Sequence, residues 1–241
     1  ADQRAYNVKM FTTQSAEPAT DGTAVFTQEN VSSDCVISGL EENTMYYAYI
    51  QAICDEGDSE WVGPLQITTL CVSLTEDELP YENGFEEETG DFPGCWTLIY
   101  TEDDSYPRVE SGSSGAFEGS KYLYSSYYVG GYDEDPIAFK AMFALPGMAE
   151  DVDMTGLSLH FYMKGAGADI VVGIMTDPSD KNTFTEVETV VGTSQYQEYL
   201  VNLTSYTGDG KYIALKYDSV FASVYIDKMR IIPTPTCLKP I

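Results

Sequence analysis

Apolar and polar residues alternate with a period of two along most of this chain. Near its start, "AYNVKMFTT", "DCVISGL", "MYYAYIQAIC" and "LQITT" are separated by turn residues, the pattern of strands with one buried face. Further on, "KYLYSSYYV", "GLSLHFYMK", "ADIVVGIMT", "YQEYLVNLT", "KYIALKYD" and "SVYIDKMRII" repeat the alternation between Gly, Asp, Asn and Pro. No 3.6-residue periodicity is sustained, so the chain reads as all-β. Its 241 residues suit two domains, since domains cluster near ~100 to 150 residues. The polar, proline-ended "VSLTEDELP" at 72–80 has the composition of a linker between them.

The spacing in "CVISGLEENTMYYAYIQAIC" is informative. Cys35, Ile37 and Leu40 fall on one face, a polar turn follows, and Tyr46, Ala48, Ile50, Ala52 and Cys54 then alternate inward. Thr44 and Tyr46 after a Gly-Leu turn match the tyrosine corner, in which a tyrosine hydroxyl caps the crossing between the sheets of a sandwich. On these residues the segment 5–70 resembles the second half of a fibronectin type III domain. "SGLEENTMYYAYIQAIC" stands for its E-to-F crossing and "SEWVGPLQITT" for its final strand. The family's first two strands are missing, so the resemblance implies a partial sandwich whose sheet edges need cover.

The second half carries "GFEEE", "PGCW", "VGIMTDPSDKNTFTEV", "LTSYTGDGKYIALKY" and "VYIDKMRII" in that order. In this order they resemble the cleaved-adhesin and MAM-like jelly-roll domains of large bacterial surface or secreted proteins. The closing "TPTCLKPI" resembles the opening of another fibronectin type III copy. The expected division is 1–71 for the partial fibronectin type III sandwich and 72–235 for the jelly-roll β-sandwich. Residues 236–241 then start a following module or linker.

Charge narrows the partners. With 12 Lys+Arg against 39 Asp+Glu, the formal net charge is −27, which repels phosphate backbones and anionic headgroups. Nucleic acid is therefore not an expected partner, and no apolar run approaches the ~20 residues of a membrane span. Five cysteines (Cys35, Cys54, Cys71, Cys95, Cys237) without a CxxC pair, beside one histidine, favour disulfides in an oxidising compartment over zinc. Cys35 with Cys54, at one end of the sandwich, is a candidate bridge, as is Cys71 with Cys95. The alternative gives Cys54 a partner in strands outside the chain.

Candidate chemistry is sparse. Nucleophilic catalysis by Ser-His-Asp or Cys-His sets needs an imidazole. The single histidine, His160, lies on the polar side of "GLSLHFYMKG". A glycosidase needs only two carboxylates at the right separation, and no acidic pair on one strand singles itself out. Calcium suits loop carboxylates better, because it takes six to eight oxygens and no histidine. The jelly-roll resemblance implies a metal between the acidic residue after the first Phe and the Asp of the closing strand, here Glu86 and Asp227. "MTDPSDKNTF", with Asp177, Asp180 and Asn182, reads as an Asx-rich turn. Tyr127, Tyr128 and Tyr132 fall near a Gly-Gly loop, where rings can stack on sugar faces or anchor a protein, whereas Tyr122 and Tyr124 read as strand packing.

The expectation is a non-catalytic, secreted or surface-displayed adhesion module that recognises glycan or protein beside neighbouring modules of its parent chain. A structural spacer and a glycoside-hydrolase jelly roll are the alternatives.

Overall fold

The period-two alternation folds as antiparallel strands throughout a computed structural model that describes residues 3–32, 34–101, 107–126, 139–219 and 223–234. The chain divides into two units, Ala1–Cys71 and Val72–Ile241.

In the first unit, β1 (Gln3–Phe11), β2 (Phe26–Val31), β3 (Met45–Cys54) and β4 (Val62–Thr68) form one sheet in the order β2-β1-β3-β4. Register places Met10 beside Ala48 and Val8 beside Ile50, then Ala48 beside Leu65 and Ile50 beside Val62. These apolar residues therefore share one face. Phe26, Ile37 and Leu40 pack on its buried cluster of Met10, Tyr46 and Ala48, yet Val62 and Leu65 stay 71% and 63% exposed. Among the described residues the unit has no second sheet to cover them. Tyr46, 2% exposed, accepts the Glu41 N–H on its hydroxyl at 2.8 Å, the backbone contact of a tyrosine corner.

Two expectations for this unit are corrected. "DCVISGL" is not a strand, because no adjacent strand among the described residues offers it a ladder. It still delivers Ile37 and Leu40 to the apolar cluster. Cys35 and Cys54 do not bridge; both are free thiols. Cys35 donates to Gln28 of β2 at 3.1 Å, while Cys54 lies on β3 opposite Gln3 of β1. Cys71 and Cys95 are each disulfide-bonded.

The second unit is a two-sheet sandwich. Its strands are β5 (Tyr81–Asn83), β6 (Thr97–Thr101), β7 (Arg108–Ser111), β8 (Lys121–Ser126), β9 (Phe139–Ala144) and β10 (Leu157–Lys164). They continue with β11 (Asp169–Met175), β12 (Thr185–Val191), β13 (Gln197–Asn202), β14 (Tyr212–Ser219) and β15 (Ser223–Pro233). One sheet runs β13-β10-β15-β8-β7, with β5 also pairing β15; the other runs β12-β11-β14-β9-β6. Sequence neighbours repeatedly lie in different sheets, so the chain crosses the core many times.

Alternation explains the core. Leu159, Phe161 and Met163 of β10, with Ile226, Met229 and Ile231 of β15, face Ile170, Val172 and Ile174 of β11 and Ile213, Leu215 and Tyr217 of β14 in one cluster. Trp96 joins it, stacked on Phe143 with centroids 5.5 Å apart, and its indole N–H donates to the Tyr81 hydroxyl at 2.8 Å. Trp96 is thus structural, as its position beside Cys95 suggests.

A candidate ligand-binding face

The residues that alternate with this core emerge on the outer face of the β13-β10-β15-β8-β7 sheet. Leu123 points inward, so Tyr122 and Tyr124 of β8 point out; Val224 and Ile226 point inward, so Tyr225 of β15 points out. Register aligns Arg108 of β7 with Tyr124, Tyr124 with Tyr225, and Tyr225 with Lys164 of β10. The result is one row, Arg108-Tyr124-Tyr225-Lys164, across four neighbouring strands. Tyr225 lies 5.0 Å from Tyr124 and 5.5 Å from Tyr122 between ring centroids. The Arg108 guanidinium sits 5.2 Å over the Tyr124 ring. Lys164 Nζ sits 4.5 Å over Tyr225 and 4.8 Å over Tyr196.

A loop walls one side of this row. Between β7 and β8, Phe117 stacks on Tyr162 of β10 at 3.8 Å and 11° and meets the Tyr196 ring edge-on at 5.4 Å. Phe117 nevertheless remains 43% exposed, so part of its ring is open to a ligand. The Tyr196 hydroxyl donates to the Gly115 carbonyl at 2.6 Å, and Lys164 Nζ donates to the Ser114 carbonyl at 3.0 Å. The loop lies so close to Tyr122 that a Cβ on Gly115 would fall 2.1 Å from that ring.

Two carboxylates hold the loop. Asp227 Oδ2 accepts the N–H groups of Phe117 and Glu118 at 2.8 and 3.0 Å, and its Oδ1 accepts Lys228 N–H at 2.7 Å. Glu86 Oε1 accepts Ser120 and Lys121 N–H at 2.8 and 2.6 Å, and its Oε2 accepts the Ser120 hydroxyl at 3.0 Å. Gly119 between them has φ +63°, and a Cβ there would meet Glu86 Oε1 at 2.5 Å. A β-bulge aims Asp227: His160 pairs with Arg230 but Tyr162 pairs with Asp227, so β15 carries one extra residue, Lys228, with φ 49°. A bulge re-aims the side chains beside it, which lets Ile226 and Met229 both face the core while Asp227 reaches the loop.

Glu86 and Asp227 are the residues that the jelly-roll resemblance marks for calcium, and the fold brings them to one loop. Burial raises the Asp227 carboxyl above its ordinary range; its three backbone donors oppose this, and the Glu86 charge adds to it. The Lys121 and Ser120 N–H groups lower the Glu86 carboxyl. The resemblance would place a divalent cation beside these two interacting carboxylates, one of them 1% exposed. Such an ion would neutralise the pair through lone pairs left over from the loop bonds. Among the described residues the two belong to no cluster of three His, Cys, Asp or Glu ligand atoms.

His160 lies on the same outer face but is 4% exposed. Its Nδ1 accepts from Arg230 Nη2 at 2.7 Å and Nε at 3.1 Å, so Nε2 carries the proton and donates to Glu198 Oε1 at 2.5 Å. Both ring nitrogens are thereby engaged, leaving neither to take a nucleophile's proton. In the β11–β12 connection, Asp177 accepts Ser179 N–H and Asp180 accepts Asn182 N–H, the Asx turns that its composition suggests.

Tyr127, Tyr128 and Tyr132 lie outside the described residues. Tyr122 and Tyr124, read from sequence as packing, are the tyrosines that line the outer face. Sequence reasoning missed Tyr225, Tyr162, Tyr196 and Phe117. For Tyr162 and Tyr225 the signal was parity, since each sits between two core residues of its strand. For Phe117 and Tyr196 no local signal exists, because a loop and an inter-strand connection place them.

The second unit is thus an antiparallel β-sandwich with an aromatic outer face walled by one loop. No protein-family model matches the chain, and no curated protein matches it. Among solved structures it is similar to the K2 cleaved adhesin domain of Lys-gingipain, with a TM-score of 0.51 and 16% identity over 64% of this chain and 98% of that chain. The K1 cleaved adhesin domain of Lys-gingipain from Porphyromonas gingivalis W83 gives 0.49 and 16% over 64% and 98%. A carbohydrate-binding module of the β-sandwich superfamily gives 0.42 and 15% over 95% and 85%. At these identities the likeness shows the fold alone: the structural neighbours are β-sandwich adhesin domains and carbohydrate-binding modules.

Proposed function

We propose that the second unit is a non-catalytic binding module that takes a glycan on the outer face of its β13-β10-β15-β8-β7 sheet. The observation that carries this reading is the row Arg108-Tyr124-Tyr225-Lys164 with Tyr122 beside it. Tyrosine offers an apolar ring for the C–H face of a sugar and a hydroxyl for its oxygens, at small conformational cost. Burial raises the Tyr122 and Tyr225 phenols above their ordinary range, so both stay neutral donors at any physiological pH. The engaged ring nitrogens of His160 support a non-catalytic role.

The remaining parts of the reading follow from separate observations. The disulfide-bonded Cys71 and Cys95 support a secreted or surface setting, and no helix among the described residues is long and apolar enough to cross a membrane. The Tyr46–Glu41 contact and the uncovered apolar sheet face support a partial fibronectin type III-like first unit that acts as a spacer. The proximity of Glu86 to Asp227, whose carboxyl the Glu86 charge helps to raise, supports a calcium ion bracing the binding loop.

Affinity electrophoresis and calorimetry against soluble xylan, β-glucan, mannan and galactan test the binding reading. At least one glycan should bind, and Tyr225→Ala should weaken it about fivefold or more, since stacking on one ring is worth ~1 kcal/mol or more. Binding unaffected by Tyr225→Ala, Tyr124→Ala and Phe117→Ala would place the ligand elsewhere. Binding to a protein but to no glycan would replace the glycan reading.

A further inference from the structure

The chemical class of the glycan follows from how the face spends its charges, and the inference rests on the glycan reading above. We propose that the face selects uncharged sugar chains and disfavours those bearing uronate or sulfate groups.

A site built for an anionic sugar presents a cation with free donors, most effectively an arginine whose fork meets a carboxylate edge-on. Both cations of the row already have partners among the described residues. Arg108 Nε is committed to Glu110 Oε1 of its own strand at 2.6 Å, and the guanidinium plane lies over Tyr124. Lys164 is held between Tyr196 and Tyr225 and donates to the Ser114 carbonyl. A ligand carboxylate would have to draw Lys164 away from two rings and a carbonyl, which would also dismantle the loop wall. Arg230, further along the face, donates to His160 and lies 3.9 Å from Glu82.

The cations on this side are offset by carboxylates, Arg108 by Glu110 at 2.6 Å and Lys228 by Glu118 at 2.5 Å. Glu198 and Glu86 stand nearby, and the whole chain carries −27. An anionic sugar seated on the row would meet these carboxylates within the ~8–10 Å over which physiological salt leaves charges unscreened. Uncharged hydroxyls meet the same carboxylates as hydrogen-bond acceptors. The face thus repels one class of sugar and binds the other with the same groups.

The test compares matched pairs on the full chain: polygalacturonate against its carboxyl-reduced galactan, and alginate and hyaluronate against the neutral xylan, β-glucan and mannan panel. Affinity is measured at 20 and 300 mM NaCl. The expected result is a neutral glycan bound at least about fivefold tighter than any uronate at low salt, from one like-charge contact at a wet surface. The gap should narrow at high salt. Glu110→Gln, which frees Arg108 and removes a negative charge, should lower the neutral-to-uronate ratio severalfold. Uronate binding as tight as neutral binding, or a ratio unmoved by Glu110→Gln and salt, would overturn this inference and leave the aromatic face as a glycan site. No binding to either class would overturn the glycan reading, and this inference with it.

Discussion

Replacing Asp227 by alanine tests the clamp that shapes the binding loop. The carboxylate accepts three N–H donors, from Phe117, Glu118 and Lys228, and is 1% exposed. Each donor left without a partner costs about 1–3 kcal/mol when buried. Phe117 and Glu118 lie at the surface, where water replaces the lost bond, so they count at the low end. Removing the carboxylate also relieves the cost of burying it, which is the first cause of its raised pKa. The net loss is about 2–4 kcal/mol, or roughly 5–12 °C in Tm for a unit of this size.

Asp227→Asn gives the internal control. Its carbonyl oxygen keeps the two Oδ2 bonds to Phe117 and Glu118, while its amide nitrogen faces Lys228 N–H as a second donor, so one bond of three is lost. Both variants are melted in EDTA, so that no bound cation contributes. Asp227→Ala should fall by several degrees, Asp227→Asn by less than half as much, and glycan affinity should follow the same order because Phe117 loses its seat on Tyr162. A Tm for Asp227→Ala within ~2 °C of wild type, or an Asp227→Asn variant as unstable as Asp227→Ala, would refute the clamp.

Further outcomes follow from other contacts. Calcium at a hundredfold excess over its Kd should raise stability by about 2.7 kcal/mol, and the rise should vanish in Glu86→Gln; equal Tm in calcium and EDTA removes the metal. Mass spectrometry after alkylation without reductant should label Cys35 and Cys54 but neither Cys71 nor Cys95, and label at the last two would contradict their bonding. Tyr46→Phe removes the Glu41 bond from the hydroxyl of a 2%-exposed residue. The first unit should lose about 1–2 kcal/mol, read as an earlier loss of amide protection in β3, and unchanged exchange would sink the corner's stabilising role.

What the sequence revealed was set by burial. A strand with one core face, such as β10, alternates plainly because Leu159, Phe161 and Met163 must all point inward. Edge strands do not: β2 is exposed at its four middle positions, so "FTQENV" shows no alternation, while the more apolar "CVISGL" mimics a strand it does not form. β9 fails for the opposite reason, since Ala141, Met142, Phe143 and Ala144 are all buried and leave no polar phase. The cysteines misled because alternation assumes a strand at both, and Cys35 lies in a segment that forms none. Parity within β8 and β15 suffices to put Tyr122 and Tyr225 on the outer face, a signal that the reading of Tyr122 as strand packing left unused. That they form one row with Arg108 and Lys164 depends on cross-strand register, which couples residues up to about a hundred positions apart.

The bulge at Asp227 and Lys228 ties the fold to the proposed function. Without the extra residue, strict alternation would send either Ile226 or Met229 to solvent, exposing a side chain that is fully buried. With it, one residue on a core strand is freed to face the loop, and a carboxylate there can meet backbone N–H groups that no sheet satisfies. The loop is then held by the last strand of the sandwich and by Glu86 near its first. The wall formed by Phe117 therefore exists only once both ends of the chain segment have joined the same sheet. A ligand that stacks on Phe117 and Tyr225 together bears on the loop and on the strand that anchors it. Binding and the closure of this end of the sandwich are thus coupled through one buried side chain.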